Sequence, residues 1–507
     1  MDMKNIKSKG IMIQGTASSV GKSMITTALC RIFTQDGFDV NPFKSQNMSL
    51  NSYITHDGYE MGRAQVMQAE AAGKAPSVEM NPILLKPTSD RKSQVIINGR
   101  VHSEMDAVDY FDFKKQLKGE IRDIYWKLAN NSDIVVIEGA GSPAEINLNS
   151  EDFVNMGMAE IAKAPVILVG DIDRGGVFAS LAGTMLLLNE EEKKRVKGVI
   201  INKFRGSLEI LEPGLKMLED IIKVPVLGVV PYYRHYLEDE DSVTDWLQHV
   251  DEIQGDIDIA VVSLPYMSNF TDFNVLRLYS GVRLRFVRLH EELGKPDIVI
   301  VPGTKSTIKD MAALIETGMN RKILRCHKEG SIVFGICGGY QILGNRIYDP
   351  QRTESDLESI EGLGLLACET MFRQEKITTL TEGIDNVFQC RVKGYEIHMG
   401  ETLLKEGYKP FLQLVSQNGS NTNAVDGMIS NDNTVFGTYL HGIFDSKAFV
   451  ESFINMLRER KGLNPIQFDV KDYWEFKEQQ YDQLAEVVRG SLNMERVYRI
   501  LEEGIDS

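Results

Sequence analysis

Two short stretches of this 507-residue chain carry residue types whose spacing suits chemistry. The first is GTASSVGKS (15–23), which follows the apolar run GIMIQ and precedes the helix-compatible run MITTALCRIF. Strand, glycine loop, GKS and helix in that order make a phosphate cradle: glycines let the backbone wrap the phosphates, amide N–H groups supply positive potential, and a lysine reaches the β/γ-phosphates. The candidate nucleotide contacts are Gly15, Thr16, Gly21, Lys22 and Ser23, with the Ser23 hydroxyl also a candidate Mg²⁺ ligand. Five residues separate Gly15 from Gly21, one more than in the common form of this loop. The second stretch is FGICGGYQILG (334–344), where Cys337 stands in G-x-C-x-G after the strand-like SIVF. That is the spacing of a strand-to-helix elbow, whose glycines permit a strained turn that projects a nucleophile toward backbone N–H donors.

A thiolate nucleophile needs a base. Of the eight histidines, His441 in TVFGTYLHGIF (434–444) is the best placed, downstream of the elbow in a glycine-flanked turn. His398 in GYEIHMG (394–400) is its rival. PGTKST (302–307) is another strand-end loop, and a backbone N–H at Gly303 or Thr304 would complete an oxyanion hole. On the phosphate side, Glu138 ends the run DIVVI and is placed to hold Mg²⁺ beside the loop. Asp171, Asp173 and Arg174 end VILVGDIDR, either binding substrate or metal or shaping the turn, and Asn202 ends GVIIN, placed for an adenine contact.

These residues depend on buried strands to carry them. GIMIQG (10–15), SDIVVIEG (132–139), APVILVGD (164–171), KGVIINKF (197–204) and VPVLGVVP (224–231) form one series of apolar runs separated by helix-compatible segments. IDIAVVSLP (257–265), RLRFVRL (283–289), PDIVIVPG (296–303) and GSIVFGIC (330–337) form a second. Continuous apolar strands alternating with helices predict parallel sheets covered on both faces, hence an α/β chain of two doubly wound domains. The acidic stretch 237–256 separates the series, so the expected domains are 1–250 and 251–450, with a helical extension at 451–507 that could pack on either.

Composition narrows the function classes. Hydrophobic residues at 43% and charged residues at 25% suit a globular protein with sizeable cores. A net charge of −16 argues against general nucleic-acid binding. The five cysteines show no metal or disulfide spacing, the N-terminal apolar run is too short for a signal peptide, and no run approaches the roughly 18 apolar residues of a membrane helix. A cytoplasmic enzyme is the expectation, with no nucleic-acid or membrane partner and its oligomeric state open.

The Cys337 elbow with downstream His441 resembles the class I glutamine amidotransferases, and the five-residue phosphate loop resembles dethiobiotin synthetase-like ATP enzymes. Their fusion in this order is similar to the cobyrinic/cobyric acid amidating group. NPFKSQNMSLNSYIT (41–55), EMGRAQVMQAEAAG (60–73), NPILLKPTSD (81–90), EGAGSPAEINL (138–148), GDIDRGGVFAS (170–180), INKFRG and VPGTKST narrow the resemblance to the cobyric acid synthase family, over nearly the whole chain.

The resemblance implies a P-loop synthetase domain followed by a flavodoxin-like glutaminase domain. It implies amidation of the b, d, e and g carboxylates of adenosylcobyrinic acid a,c-diamide, in cobalamin biosynthesis, with glutamine, ATP and Mg²⁺. Cys337 would be the nucleophile and His441 the general base/acid. Many class I members carry an acid two residues after the histidine; here that position is Ile443, leaving Asp445 and Glu396 as the available carboxylates. An anionic corrinoid calls for cations, for which Lys44, Arg63, Lys86, Arg91 and Arg174 are candidates. The alternatives are the sibling that amidates the a and c carboxylates, or a regulatory P-loop ATPase with an inactive glutaminase domain.

Overall fold

The computed structural model describes residues 10–88, 91–147, 152–233, 237, 255–404 and 407–505. Most of the acidic stretch in which the domain boundary is expected lies outside them.

Two parallel sheets organise the chain, as the apolar runs predict. The first has six strands in the order Val226–Pro231, Val196–Phe204, Val166–Asp171, Gly10–Gly15, Ile134–Glu138 and Val40–Phe43. All its pairings are parallel. Its middle strands are buried on both faces, which is why they read as unbroken apolar runs. One face packs Met12, Val135 and Leu168 in one cluster; the other packs Ile11, Val136 and Ile167 against the helix Lys22–Gln35.

The second sheet runs Val282–Arg288, Ile257–Ser263, Ile298–Val301, Ile332–Ile336, Val435–Thr438 and Met428–Ile429, the last strand antiparallel. In both sheets the loops that matter leave from the carboxyl ends of strands, where open α/β sheets place their ligands.

Three features go beyond two doubly wound domains. A seven-stranded sheet built on the long hairpin Cys368–Asp385 and Arg391–Leu404 caps the second domain. A four-stranded sheet (Gln46–Met48, Ile83–Pro87, Lys92–Ile97, Arg100–Asp106) and the hairpin Ser52–Ile54/Glu60–Gly62 are inserted in the first. Their strands are short or half-exposed and rich in polar residues, so they lack the apolar runs that betray the central sheets.

The C-terminal segment packs on both domains. Helix Lys447–Arg460 buries Phe449, Val450 and Phe453 in the second core. Helices Tyr473–Ser491 and Met494–Glu503 return to the first domain, burying Leu484, Val488, Val497 and Leu501 beside the helix after the phosphate loop. Arg31 pairs there with Glu478 and Asp482, and Tyr481 donates to Glu70 at 2.6 Å.

Candidate active site

The phosphate loop springs from the strand Gly10–Gly15 and feeds the helix Lys22–Gln35. Gly21 has φ 95°, and a Cβ there would lie 2.1 Å from the Asn202 amide nitrogen, so only glycine fits. A Cβ at Gly15 would meet Val20 at 2.5 Å. The Thr16 amide donates to the Val169 carbonyl at 3.0 Å, tying the loop to the neighbouring strand. Lys22 donates to the carbonyls of Ala17 and Gly141 at 2.9 and 3.1 Å, which curls its ammonium back over the loop.

Glu138 is buried at its strand end and gathers three partners. Ser23 Oγ and Lys44 Nζ each donate to Oε1 at 2.9 Å, and Gln68 donates to Oε2. The sequence places Glu138 beside Ser23, and the structure brings the two together. A hydroxyl and a carboxylate are hard oxygen donors, and Mg²⁺ characteristically takes one or two such groups with phosphates and water as its other ligands. The pair therefore fits that ion. No cluster of three or more acidic, His or Cys side chains suited to a metal occurs among the described residues, so an all-protein cage is not the fit here.

Asn202 and the Asp171 group take bracing contacts. Asn202 donates to the Val20 carbonyl at 2.8 Å, holding the loop. Asp171 accepts from the Asp173 amide and faces Lys203, whose ammonium also reaches the Ser19 carbonyl. Lys44 lies buried at Glu138, and Lys86 lies between the domains, so neither is an outward-facing cation for a corrinoid.

The elbow is built as its glycines predict. Cys337 follows the strand Ile332–Ile336 and has φ 52°, ψ −111°, a strained conformation for a side-chain-bearing residue. Its amide is pinned to the Thr438 carbonyl at 2.8 Å, and its thiol lies 3.4 Å from the Ile397 carbonyl. A Cβ at Gly335 would meet Gly339 backbone at 2.8 Å, and one at Gly339 would meet the Val301 carbonyl at 1.9 Å. Gly339→Ala is therefore expected to destabilise the fold by about 2–3 kcal/mol, because rigid backbone stands where the methyl must go; urea melts of the two proteins check this.

His441 lies three residues past the strand Val435–Thr438 and is 1% exposed. Its Nδ1–H donates to Asp272 Oδ2 at 2.7 Å, and Asp272 Oδ1 accepts from the Gly442 amide at 3.2 Å. The Cys337 thiol lines the same cavity as the ring and lies close enough to act on its charge. Burial works against the charged imidazole, but Asp272 and Cys337 outweigh it and push the group up to about 10. The Tyr395 ring stacks on the imidazole, with centroids 5.2 Å apart, and its backbone pairs with that of His441. Sulfur, imidazole and carboxylate thus stand in the arrangement that a nucleophile, a base and its orienter require.

The sequence leaves open which carboxylate meets His441, and the structure puts Asp272 there. Neither Asp445 nor Glu396 is the acid on Nδ1: Asp445 ends the one-turn helix Ile443–Asp445, and Glu396 accepts from Thr379 Oγ1 at 3.1 Å while burial and Asp426 raise its carboxyl to about 8. Asp272 comes from the 3₁₀ segment Phe270–Leu278, 169 residues earlier. The only signal in the sequence was SNFTDFN after a strand, which no spacing rule connects to His441.

His398, the rival base, donates Nδ1–H to the Gly400 carbonyl at 2.7 Å and stacks on Tyr439. Burial lowers it to about 4, so it is held neutral and packed. The Pro302–Thr307 loop does reach the elbow: a Cβ on Gly303 would touch the His441 ring at 2.8 Å, and Thr304 N lies 3.1 Å from the Cβ position of Gly338.

The two centres are linked through the segment 44–52. Lys44 sits at Glu138; eight residues on, the Ser52 amide donates to Asn269 Oδ1 at 2.9 Å. Asn269 Nδ2 lies 3.5 Å from His441 Nε2. Tyr53 meets Tyr395 edge-on, and Glu60 bridges Lys86 of its own domain and Lys376 of the other. Burial alone would raise the Glu60 carboxyl, but the two ammonium groups prevail and hold it below the usual range.

Comparison with known proteins agrees with this layout. Residues 11–242 match the CobQ/CobB/MinD/ParA nucleotide binding domain, and residues 258–449 match the CobB/CobQ-like glutamine amidotransferase domain. Among relatives, cobyric acid synthase of Clostridium novyi (strain NT) is 62% identical over 501 residues, 99% of each chain. Cobyric acid synthase of Alkaliphilus metalliredigens (strain QYMF) is 56% identical over 97% of this chain and 99% of that one. With the sulfur–imidazole–carboxylate set and the phosphate cradle both in place, and with relatives this similar from end to end, the chain belongs to the cobyric acid synthase family, the amidating enzymes of cobalamin biosynthesis.

Proposed function

We propose that the chain performs the glutamine- and ATP-dependent amidation of the b, d, e and g carboxylates of adenosylcobyrinic acid a,c-diamide. The observation that carries this reading is the join between the centres: one segment begins at the phosphate-side carboxylate and ends one hydrogen bond from the residue touching His441.

In the glutaminase half, the Cys337 thiolate attacks the carboxamide carbon of glutamine. His441, oriented by Asp272, protonates the departing ammonia, and water then hydrolyses the thioester with His441 as base. Backbone N–H groups of Gly338 and of the Gly303–Thr304 loop supply the oxyanion donors. In the synthetase half, the corrinoid carboxylate takes the γ-phosphoryl group of ATP, since a bare carboxylate is too poor an electrophile for ammonia. Gly15, Thr16 and Gly21 cradle the phosphates, Lys22 neutralises charge on the transferring group, and Asn202 keeps the loop in shape near the base. Ser23 and Glu138 would hold Mg²⁺, which screens the phosphate charge. Ammonia is mostly protonated near neutral pH and then not nucleophilic, so the reaction calls for a covered passage between the halves. The corrinoid enters as a polyanion at the phosphate end, and the enzyme works in the cytoplasm.

Lys22→Ala is expected to lower amidation by at least 10³-fold with ammonium salt supplied in place of glutamine, because phosphoryl transfer is chiefly charge stabilisation. Product mass spectrometry tests the substrate. The a,c-diamide should gain four amides with ATP and glutamine; amidation of cobyrinic acid alone, at a and c, would move the chain to the sibling reaction.

A further inference from the structure

The first domain carries two helices whose outward faces are apolar. Helix Val177–Leu187 has no charged residue along its length, although the domain buries only Val177, Leu181, Thr184 and Met185. Phe178, Leu186 and Leu187 are left in water, where a surface helix normally turns its charges. Helix Leu208–Ile222 is laid out in rows. Leu211, Leu215, Leu218 and Ile222 share one row, and the last three join the core under the first sheet. The next row, Ile210, Gly214, Met217 and Ile221, repeats the same spacing and is also apolar, yet its three large side chains are exposed. Phe178 joins the two helices, since a Cβ on Gly214 would lie 3.0 Å from its ring. The pair therefore presents one continuous apolar face.

Among the described residues nineteen large hydrophobic side chains are exposed, and seven of them stand on these two helices, at between 36% and 83% exposure. Together the seven present on the order of 700 Å² of apolar surface. That exceeds the roughly 300–600 Å² of the largest patch on an ordinary monomer and approaches the roughly 800 Å² that each partner gives to a standard interface. The edge of the face says what suits it. Glu209, Lys216 and Asp220 form the exposed row beside the stripe, so the edge carries both signs. A second copy laid antiparallel turns lysine toward acid on both sides. A lipid surface does not suit it: helix Leu208–Ile222 has four acidic residues and one lysine, the reverse of what anionic headgroups attract. Nor does the segment 238–254 of the same chain. It holds seven acidic residues and no lysine or arginine, and it follows Leu237, which packs on the opposite side of the sheet with the C-terminal helices.

We propose that this face binds a second copy of the chain, two molecules packing helices Val177–Leu187 and Leu208–Ile222 against the same helices of the other about a two-fold axis. Such a contact is self-complementary and closes on itself, so no apolar face is left open to further addition. The proposal does not depend on the reaction assigned above. It does bear on the site, because helix Val177–Leu187 begins directly after the turn in which Asp171 faces Lys203, and Lys203 in turn reaches the Ser19 carbonyl of the phosphate loop. The interface therefore adjoins the phosphate side of each chain.

Analytical ultracentrifugation of the full chain tests it. The parent should sediment at twice the 57.0 kDa of one chain, with a dimer Kd of about 1 µM or tighter. Met217→Glu and Ile221→Glu each place a charge in the stripe of both copies, which the closed interface cannot hydrate, and each should raise that Kd at least a hundredfold. Leu357→Glu makes the same change at an exposed leucine of the second domain and should leave the dimer as it is. All three positions are exposed, so the fold survives the substitutions; ammonia release from glutamine within twofold of the parent reports this. A parent that stays monomeric across the micromolar range overturns the proposal. So does a dimer that Met217→Glu and Ile221→Glu leave intact, since its interface then lies elsewhere. Species that grow beyond the dimer with concentration rule out the two-fold arrangement. A monomeric parent that floats with vesicles of phosphatidylcholine and phosphatidylglycerol, and ceases to do so as Met217→Glu, gives the face to lipid instead.

Discussion

Cys337→Ala is expected to abolish glutamine-dependent amidation, a loss of at least 10⁴-fold, while amidation from added ammonium salt continues near the parent rate. The division follows from where the thiol sits. It is held at a strained elbow by the Thr438 carbonyl and three crowded glycines, within reach of His441 and separated from the phosphate loop by the whole 44–52 segment. Removing the sulfur removes the only step that needs it, the attack on glutamine. The synthetase half keeps Lys22, Ser23 and Glu138 untouched. Parallel assays with glutamine and with ammonium chloride, both at saturating ATP and corrinoid, read the effect. An equal fall in both assays would mean that the elbow supports the fold rather than the chemistry.

Asp272→Asn should lower kcat for glutamine hydrolysis by about 10²–10⁴-fold, again sparing the ammonia-driven reaction. An amide in place of the carboxylate offers Nδ1 a donor as readily as an acceptor. The imidazole then loses both its fixed tautomer and the charge that stabilises its protonated form. The same change alters stability with pH. The folded His441 group is raised, to about 10, above its ordinary value of 6.5. The stability this contributes is therefore fully present below about 6.5 and disappears as pH rises through 10. Thermal melts from pH 6 to pH 10 should show that decline in the parent and a flatter profile in Asp272→Asn. If the parent profile is already flat, His441 is not held protonated by Asp272.

Much of this protein is legible in its sequence because its central strands are buried on both faces. GIMI, IVVI, VILV and IVFGI are apolar without interruption, and each leads to a candidate site residue within a few positions. A parallel sheet fixes what its strand ends carry, so Gly15, Glu138 and Cys337 could be placed in a site from local order alone. The elbow glycines were also readable, since G-x-C-x-G has few other uses.

What the tertiary structure decided is every contact made between segments distant in the chain. Asp272 reaches His441 across 169 residues, and Ser52 reaches Asn269 across 217. Lys86 and Lys376 share Glu60 from different domains. The antiparallel cap and the inserted sheet lie half in water, so their strands carry no unbroken apolar pattern. Strand periodicity is a property of a few neighbouring residues and survives in the sequence. A hydrogen bond between two loops depends on how whole layers pack, and short loop sequences with no burial pattern carry no record of it.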